Sequence, residues 1–189
     1  DIMCAGAFSV SNDSDLKWVY FLDGLKDGDN NIAALIRCND MLRQTFADSE
    51  HYQNYSVIMK NELIFRKSGM VVGDKFFYDN YCTYQNTDFE TWRKQSFESN
   101  TWQLFPLEEI DTGERTFQAM TFSYPVRNYI QQEPEANAVV QFLLSKENLE
   151  QMFGQLLSRQ GGILIYDAED RLLASLGKIN ADGDDPENT

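Results

Sequence analysis

The hydrophobic pattern is clearest in the first half of the chain, where two short β-type runs flank a polar turn. Residues 55–59 and 63–66 are separated by the turn-forming pair Lys60-Asn61, and this arrangement predicts a β-hairpin. An aromatic cluster follows, made up of Phe76, Phe77, Tyr78, Tyr81, Tyr84 and Trp92. A hairpin that leads into an aromatic, irregular segment favours a concave apolar binding site with polar handles over a catalytic centre.

Helical spacing precedes this hairpin. In residues 14–24 apolar side chains recur at helical positions behind a cap at Ser14 or Asp15. A second helix is predicted over residues 32–46, with charged side chains on the side opposite its apolar face. The apolar positions of this second helix are Ile32, Leu35, Ile36, Leu42 and Phe46.

The middle of the chain mixes element types. Residues 88–97 predict a short helix capped by Asp88. Pro106 favours a loop over residues 104–109. Residues 116–126 alternate as a strand does and carry bulky side chains on both faces, which indicates a strand that is covered on two sides.

The last third predicts a strand, a helix and a second hairpin. Residues 138–144 form an apolar, strand-like run, and Ser145 after it is a good helix N-cap. The apolar stripe of that helix consists of Leu149, Met152, Phe153, Leu156 and Leu157. Gly161-Gly162 ends the helix, and residues 163–176 form two apolar runs around a polar turn. This order of elements predicts an α+β fold with a mainly antiparallel sheet.

Charge and composition limit the function classes. The 189 residues suit one domain, or one domain and a fragment of another, and the hydrophobic share of 42% can fill a core. The formal net charge is -14, which repels phosphate backbones and argues against nucleic-acid binding. The acidity also favours solubility. No run approaches the roughly 20 apolar residues that a membrane helix needs.

Metal, cofactor and catalytic chemistry find little support. The three cysteines match no zinc spacing, and the chain has one histidine. Reduced, buried cysteines are favoured over one disulfide and a free thiol. Carboxylates at residues 108–111 and 167–170 fall in predicted loops, where exposed acids are common. The sequence therefore predicts a protein that is not an enzyme and binds neither a metal nor a cofactor, with a hydrolase using loop carboxylates as the catalytic alternative.

Six strings of the chain, together with Trp92, carry a resemblance to a known family. They lie at residues 11–16, 56–69, 76–81, 121–126, 138–144 and 162–175. These strings and their order resemble the extracellular double Cache (PAS-like) sensor region of membrane-bound AraC-type transcription regulators and histidine kinases of Gram-positive bacteria. The resemblance covers nearly the whole chain, and its specificity lies in the order of the elements.

The resemblance implies a two-lobed organisation outside the cell. Residues 1–158 would form N-terminal helical segments and a distal PAS-like lobe, whose central antiparallel sheet is flanked by helices. Residues 159–189 would open a membrane-proximal lobe. The region would stand on the extracellular face of the bacterial plasma membrane, tethered by segments outside this sequence, and would form a homodimer through stalk helices. A DNA-binding output domain would also lie outside this chain.

In that family the pocket lies between the distal sheet and the segment that crosses over it. The implied ligand-binding residues are Tyr78, Tyr81, Trp92 and Tyr124 as aromatic walls, and Arg93 or Arg127 as a partner for a ligand carboxylate. Aromatic residues at these spacings are also common in plain cores. Many amino-acid-sensing members carry an arginine shortly before a Trp-Tyr pair. Arg93 instead follows Trp92, which argues against an amino-acid ligand.

The sequence thus predicts a sensor domain that binds an unidentified small molecule and relays a conformational change. The alternative is a non-catalytic structural or protein-interaction PAS-like module whose pocket is filled by its own side chains. A ligand-dependent rise in melting temperature distinguishes the two.

Overall fold

The computed structural model describes residues 28–46, 54–98, 101–126 and 136–178. The elements in these ranges are, in chain order, α1 (Gly28–Thr45), β1 (Asn54–Met59), β2 (Leu63–Arg66), β3 (Gly69–Val72), α2 (Asp74–Tyr81), β4 (Thr83–Tyr84), α3 (Phe89–Glu98), β5 (Gln103–Asp111), β6 (Thr116–Val126), β7 (Ala138–Ser145), α4 (Lys146–Met152), α5 (Gly154–Gln160), β8 (Gly162–Tyr166) and β9 (Leu172–Gly177). The predicted α+β class is confirmed. The helix predicted over residues 14–24 lies outside the described residues.

Seven strands form one antiparallel sheet in the order β3-β2-β1-β7-β6-β5-β4. The first predicted hairpin is confirmed, because β1 pairs with β2 and Val57 stands opposite Phe65. Its turn closes where the backbone N–H of Glu62 donates to the carbonyl of Met59 over 3.0 Å. The second predicted hairpin is confirmed as the separate two-stranded sheet β8–β9.

Both faces of the large sheet are covered by packed side chains. Face A carries Val57 and Phe142 and packs against α1, α4 and the β8–β9 hairpin. Face B carries Ile58 and Leu143 and packs against α2 and α3. A strand that is covered on both faces loses the simple alternation of apolar and polar residues, as the sequence of β6 and β7 indicates.

The chain crosses from one edge of the sheet to the other over face B. It leaves the edge strand β3, forms α2, contributes β4 at the opposite edge, and then forms α3. Asp88 caps α3 as predicted, since its carboxylate accepts the backbone N–H of Thr91 over 2.8 Å. An ion pair between Asp74 and Arg93 ties α2 to α3.

The prediction of a loop over residues 104–109 is wrong. These residues belong to β5, which pairs with β6 from Gln103 to Asp111 and carries a β-bulge between Phe105 and Glu108. Pro106 lies inside this bulge. A bulge leaves an extra residue outside the ladder of hydrogen bonds, so a residue without a backbone N–H is tolerated there.

The single helix predicted after Ser145 is two short helices. Ser145 caps α4 as predicted, because its hydroxyl accepts the backbone N–H of Asn148 over 3.1 Å. The helix is interrupted at Phe153, where ψ is 10°. Within the predicted stripe, Leu149, Phe153 and Leu157 pack against the core, whereas Met152 and Leu156 are exposed.

The β8–β9 hairpin is attached to the rest of the fold at both its strands and its end. Leu173, Ala174 and Leu176 of β9 belong to the core of face A. The backbone N–H of Gly177 donates to the carboxylate of Glu150 over 3.1 Å. The hairpin therefore shares a core with the large sheet.

Candidate functional site

Polar side chains cross five strands on face B and form what we call the polar row. Ser56 of β1 stands opposite Arg66 of β2 and, on its other side, opposite Gln141 of β7. Gln141 stands opposite Ser123 of β6, which in turn stands opposite Gln103 of β5. Residues that are paired directly across antiparallel strands share a face, so these five side chains form a continuous line.

The centre of the polar row is buried and bonded to α3. Gln141 is 2% exposed and Ser123 is 3% exposed, although strands of this kind are usually apolar inside. The amide nitrogen of Gln141 donates to the hydroxyl of Ser96 over 2.9 Å. That hydroxyl donates to the main-chain carbonyl of Trp92 over 2.7 Å. The row is thus continuous with the helix that covers it.

Three buried polar atoms at this place have no hydrogen-bond partner among the described residues. They are the indole nitrogen Nε1 of Trp92 and the amide oxygens Oε1 of Gln103 and Gln141. Burying such a group without a partner costs on the order of 1–3 kcal/mol, and the great majority of buried polar groups in proteins are hydrogen-bonded. One donor and two acceptors at this place therefore lack a partner among the described residues.

A cleft of about 870 Å³ opens along β5, next to these atoms. Tyr84, Trp92 and Gln103 line it on one side. The β8–β9 hairpin lines it on the other side, with Tyr166 at the end of β8 and Arg171 in the turn that follows. This volume falls in the usual range for small-molecule sites. A molecule in the cleft would touch both the large sheet and the hairpin.

The charged side chains of the lining form hydrogen bonds or ion pairs with the main chain and with neighbouring side chains. The Glu108 carboxylate accepts the backbone N–H of Asn86 over 2.9 Å and the hydroxyl of Thr87 over 3.1 Å. The Asp167 carboxylate accepts the guanidinium Nε of Arg171 over 2.6 Å. The backbone N–H of Arg171, followed by its guanidinium, lowers the pKa of Asp167 below its ordinary value. These contacts hold the carboxylates of Glu108 and Asp167 at the rim of the cleft.

Tyr84 and Cys82 keep their protons at neutral pH. Burial raises the pKa of the Tyr84 hydroxyl well above its ordinary value, and burial raises the pKa of the Cys82 thiol to about 12. The neutral Tyr84 hydroxyl lies 2.9 Å from the hydroxyl of Thr121 on β6. This wall of the cleft is therefore polar but uncharged.

Two predicted aromatic residues, Tyr78 and Trp92, are brought together on face B. Their ring centroids are 5.4 Å apart. The hydroxyl of Tyr78 donates to the main-chain carbonyl of Thr87, and its ring stacks on Tyr84. Tyr78 thus packs behind the wall of the cleft, whereas Trp92 lines it.

Tyr81 and Arg93 are engaged elsewhere on the same face. The guanidinium of Arg66, at the far end of the polar row, lies over the Tyr81 ring at 3.9 Å from its centroid. Arg93 pairs with the buried carboxylate of Asp74 and lies over the ring of Phe97. Neither Tyr81 nor Arg93 is among the described residues that line the cleft.

Tyr124 lies on the other side of the sheet from Trp92. It stands opposite Val140 in the pairing of β6 with β7, and both pack in the core of face A. The structure therefore does not bring Tyr124 together with Tyr78 and Trp92. Arg127 lies outside the described residues.

Four polar residues that the sequence reading did not single out belong to the site: Gln103, Thr121, Ser123 and Gln141. Gln141 interrupts the apolar run of β7, and a lone amide in a buried strand was a usable signal. Thr121 and Ser123 share one face of a strand that was predicted to be covered on both sides. Gln103 could not be predicted as a site residue, because Pro106 favoured a loop in place of the strand β5 that carries it.

The described residues contain neither a metal-binding cluster nor a helix that could span a membrane. No group of three or more His, Cys, Asp or Glu side chains there could hold a metal ion. No helix in residues 28–46, 54–98, 101–126 or 136–178 combines the length and apolarity that a membrane span requires. Cys38 and Cys82 are reduced and buried, and Cys4 lies outside the described part of the chain.

No protein-family model and no curated protein was found to match this chain. The resemblance to double Cache sensor regions therefore remains a prediction.

Proposed function

We propose that this chain is the ligand-sensing region of a bacterial transmembrane signalling or transcription-regulating protein, and that it binds a small molecule in the cleft beside the polar row. The observation that carries this proposal is the presence of buried polar atoms, on Trp92, Gln103 and Gln141, that lack partners among the described residues. Two of these residues line an 870 Å³ cleft. Buried groups of this kind are stabilised when a bound molecule supplies the missing hydrogen bonds.

The fold is compatible with the PAS-like lobe of a Cache sensor. An initial hairpin leads to a segment, α2 to α3, that crosses one face of an antiparallel sheet. The crossing segment contributes Asn86, Trp92 and Gln95 to the lining of the cleft, which supports a pocket next to that segment. On this proposal the β8–β9 hairpin opens a second lobe, and the region stands outside the cell on a membrane tether.

Signalling would proceed by a population shift. The cleft is lined by β5 on one side and by the hairpin turn on the other. A ligand that contacts both would favour one arrangement of the hairpin against the sheet, and so bias whatever follows the hairpin. The size of the response is set by the difference in ligand affinity between the two arrangements.

A second candidate function keeps support from the packing of α2. Tyr78 contacts Tyr84, Phe89 and Trp92 and fills much of the space between the helices and face B. A structural or protein-interaction module with a self-filled pocket has packing of this kind. The two candidates differ in whether any small molecule stabilises the fold.

The test is thermal unfolding against a broad metabolite library, with Gln103→Leu and Gln118→Leu as matched variants. Gln118 lies on the same sheet but is exposed and is not among the described lining residues. At 100 times its dissociation constant a ligand should raise the melting temperature of the wild type and of Gln118→Leu by about 5–10 °C. Gln103→Leu should lose most of that rise and keep at least the wild-type stability without ligand, because an unpartnered acceptor is removed.

Absence of any stabilising compound would favour the self-filled module. Equal stabilisation of Gln103→Leu and the wild type would place the ligand elsewhere.

A further inference from the structure

The three buried polar atoms of the site are all uncharged groups. Trp92 offers an indole N–H, while Gln103 and Gln141 offer amide oxygens. A neutral hydroxyl or amide of a ligand can supply the hydrogen bond that an uncharged donor or acceptor lacks. Binding of such a ligand does not require an ion to leave water. Burying a charge beside such groups costs far more unless a counter-charge is present.

The described lining offers no unengaged cation to serve as that counter-charge for an anion. Arg171, the cationic side chain of the described lining, is bonded to Asp167 over 2.6 Å and lies 3.5 Å from Glu169. Arg93, which the sequence suggested as a carboxylate partner, is paired with Asp74. An anionic ligand would have to share the guanidinium of Arg171 with the carboxylates of Asp167 and Glu169.

The field of the cleft also opposes anions. The described lining contains the carboxylates of Glu108, Asp167 and Glu169 against the one guanidinium of Arg171. The formal charge of the whole chain is -14. Negative potential of this kind lowers the local concentration of anions. The carboxylates of Glu108 and Asp167 already accept hydrogen bonds from the main chain, from Thr87 and from Arg171. Their attraction for a cationic ligand is therefore also reduced.

The walls of the cleft present flat apolar surfaces and neutral polar groups. Trp102 supplies aromatic surface, since it is 54% exposed although it stacks on Phe122, and the largely buried Trp92 and Tyr84 border the cleft. Asn86, Gln95 and Thr101 add amides and hydroxyls to the lining. Aromatic faces combined with a few neutral hydrogen-bonding groups suit a molecule that has both an apolar face and a polar edge.

We infer that the ligand of this site is an electrically neutral small molecule that accepts a hydrogen bond from the Trp92 indole, donates one to the Gln103 amide oxygen, and lays an apolar face on the aromatic walls. This inference rests on the proposed function. Two chemical sources share these properties, namely a neutral sugar ring and a heteroaromatic amide. Carboxylate ligands are disfavoured by the same geometry.

The test is calorimetric titration with probes matched in pairs that differ by one carboxylate. Glucose is compared with glucuronate, and nicotinamide with nicotinate. Each neutral compound that stabilises the fold in the metabolite library is likewise compared with its carboxylate analogue. The neutral member should bind at least 10-fold more tightly, and Gln103→Leu should reduce its affinity whereas Gln118→Leu should not. Tighter binding of either the sugars or the heteroaromatic amides shows which of the two classes of ligand the site takes.

Equal or tighter binding of the carboxylate members, lost in Gln103→Leu, would overturn neutral selectivity and leave the sensing function in place. Preferential binding of an amine such as putrescine would likewise overturn the selectivity for neutral ligands and leave the sensing function in place. Failure of every probe and of every library compound to bind would overturn the proposed function together with the inference.

Discussion

At the scale of single residues, the site is marked by polar side chains in places where apolar ones would fold better. Gln141 lies at the centre of a strand whose eight residues are all buried. Its amide oxygen has no partner among the described residues. A leucine of similar volume would fill the same space without an unpartnered acceptor. The amide nitrogen of Gln141 bonds β7 to Ser96 of α3, and the amide oxygen is the part of this side chain that lowers stability.

Cys82 gives the fold a specific weakness at alkaline pH. Its folded pKa is about 12 against an ordinary value of 9.0, because the thiol is buried. The unfolded chain therefore loses this proton first, so the contribution is fully present below pH 9 and disappears as the pH rises through about 12. Cys82→Ala should reduce the slope of unfolding free energy against pH in that window by up to about 1.4 kcal/mol per pH unit.

Urea denaturation of both proteins at a series of pH values measures this slope. The variant itself should be about 1 kcal/mol less stable at pH 7. Burial raises the pKa of Tyr84 in both proteins, but Cys82 adds to that rise, so the difference between the two profiles reports on Cys82 together with its effect on Tyr84. Parallel profiles for the wild type and Cys82→Ala would contradict a protonated, buried thiol.

At the scale of elements, the β8–β9 hairpin is held against α5 by a close approach of two backbones. Gly177 has φ of 72°, and a Cβ there would lie 2.6 Å from the carbonyl oxygen of Gly161. It would also lie 2.8 Å from a methyl group of Leu157. A side chain at this position would push the hairpin away from the helix, because backbone atoms cannot yield as a flexible side chain can.

Gly177→Ala should therefore lower the unfolding free energy by about 2 kcal/mol and speed hydrogen exchange in β8 and β9. Gly154→Ala is the matched control, since a Cβ there meets nothing within 4 Å. That control should raise stability by about 0.5 kcal/mol, because alanine favours the helix. Equal effects of the two substitutions would show that the hairpin is not held by this contact.

Elements that depend on local patterns could be predicted from the sequence. Both hairpins, the buried strands β6 and β7, and the caps at Asp88 and Ser145 are present. The errors arose where a local signal was overridden. Pro106 suggested a loop, but a bulge in β5 accommodates it. The interruption at Phe153, where ψ is 10°, leaves no mark on the spacing of the apolar stripe.

The candidate site was predicted less well than the fold. Trp92 lines the cleft, and the aromatic cluster does cover face B. Tyr124 directly follows Ser123 in β6, and successive residues of a strand point to opposite faces of the sheet. Tyr124 therefore packs in the core of face A, whereas Ser123 lies on face B. Arg93 is held by Asp74, a partner 19 positions away. Pairings between distant residues are set by the assembled sheet and helices, which no single string specifies.

At the scale of the whole molecule, the site lies where two parts of the fold meet. The cleft lies between β5 of the large sheet and the turn of a hairpin that shares the core of face A. A ligand there is placed to link the stability of the sheet to the position of the hairpin. In the proposed sensor, binding would have to alter the position of an element such as this hairpin.

The most direct measurement is the indole N–H signal of Trp92 in a two-dimensional ¹H–¹⁵N spectrum. The chain has three tryptophans, so three indole peaks are expected and Trp92→Phe identifies the one that matters. The neutral compound that most stabilises the fold should shift the Trp92 peak and slow its exchange with water, because the buried N–H then gains an acceptor. A stabilising compound that leaves this peak unmoved and its exchange unchanged would contradict a ligand site beside the polar row.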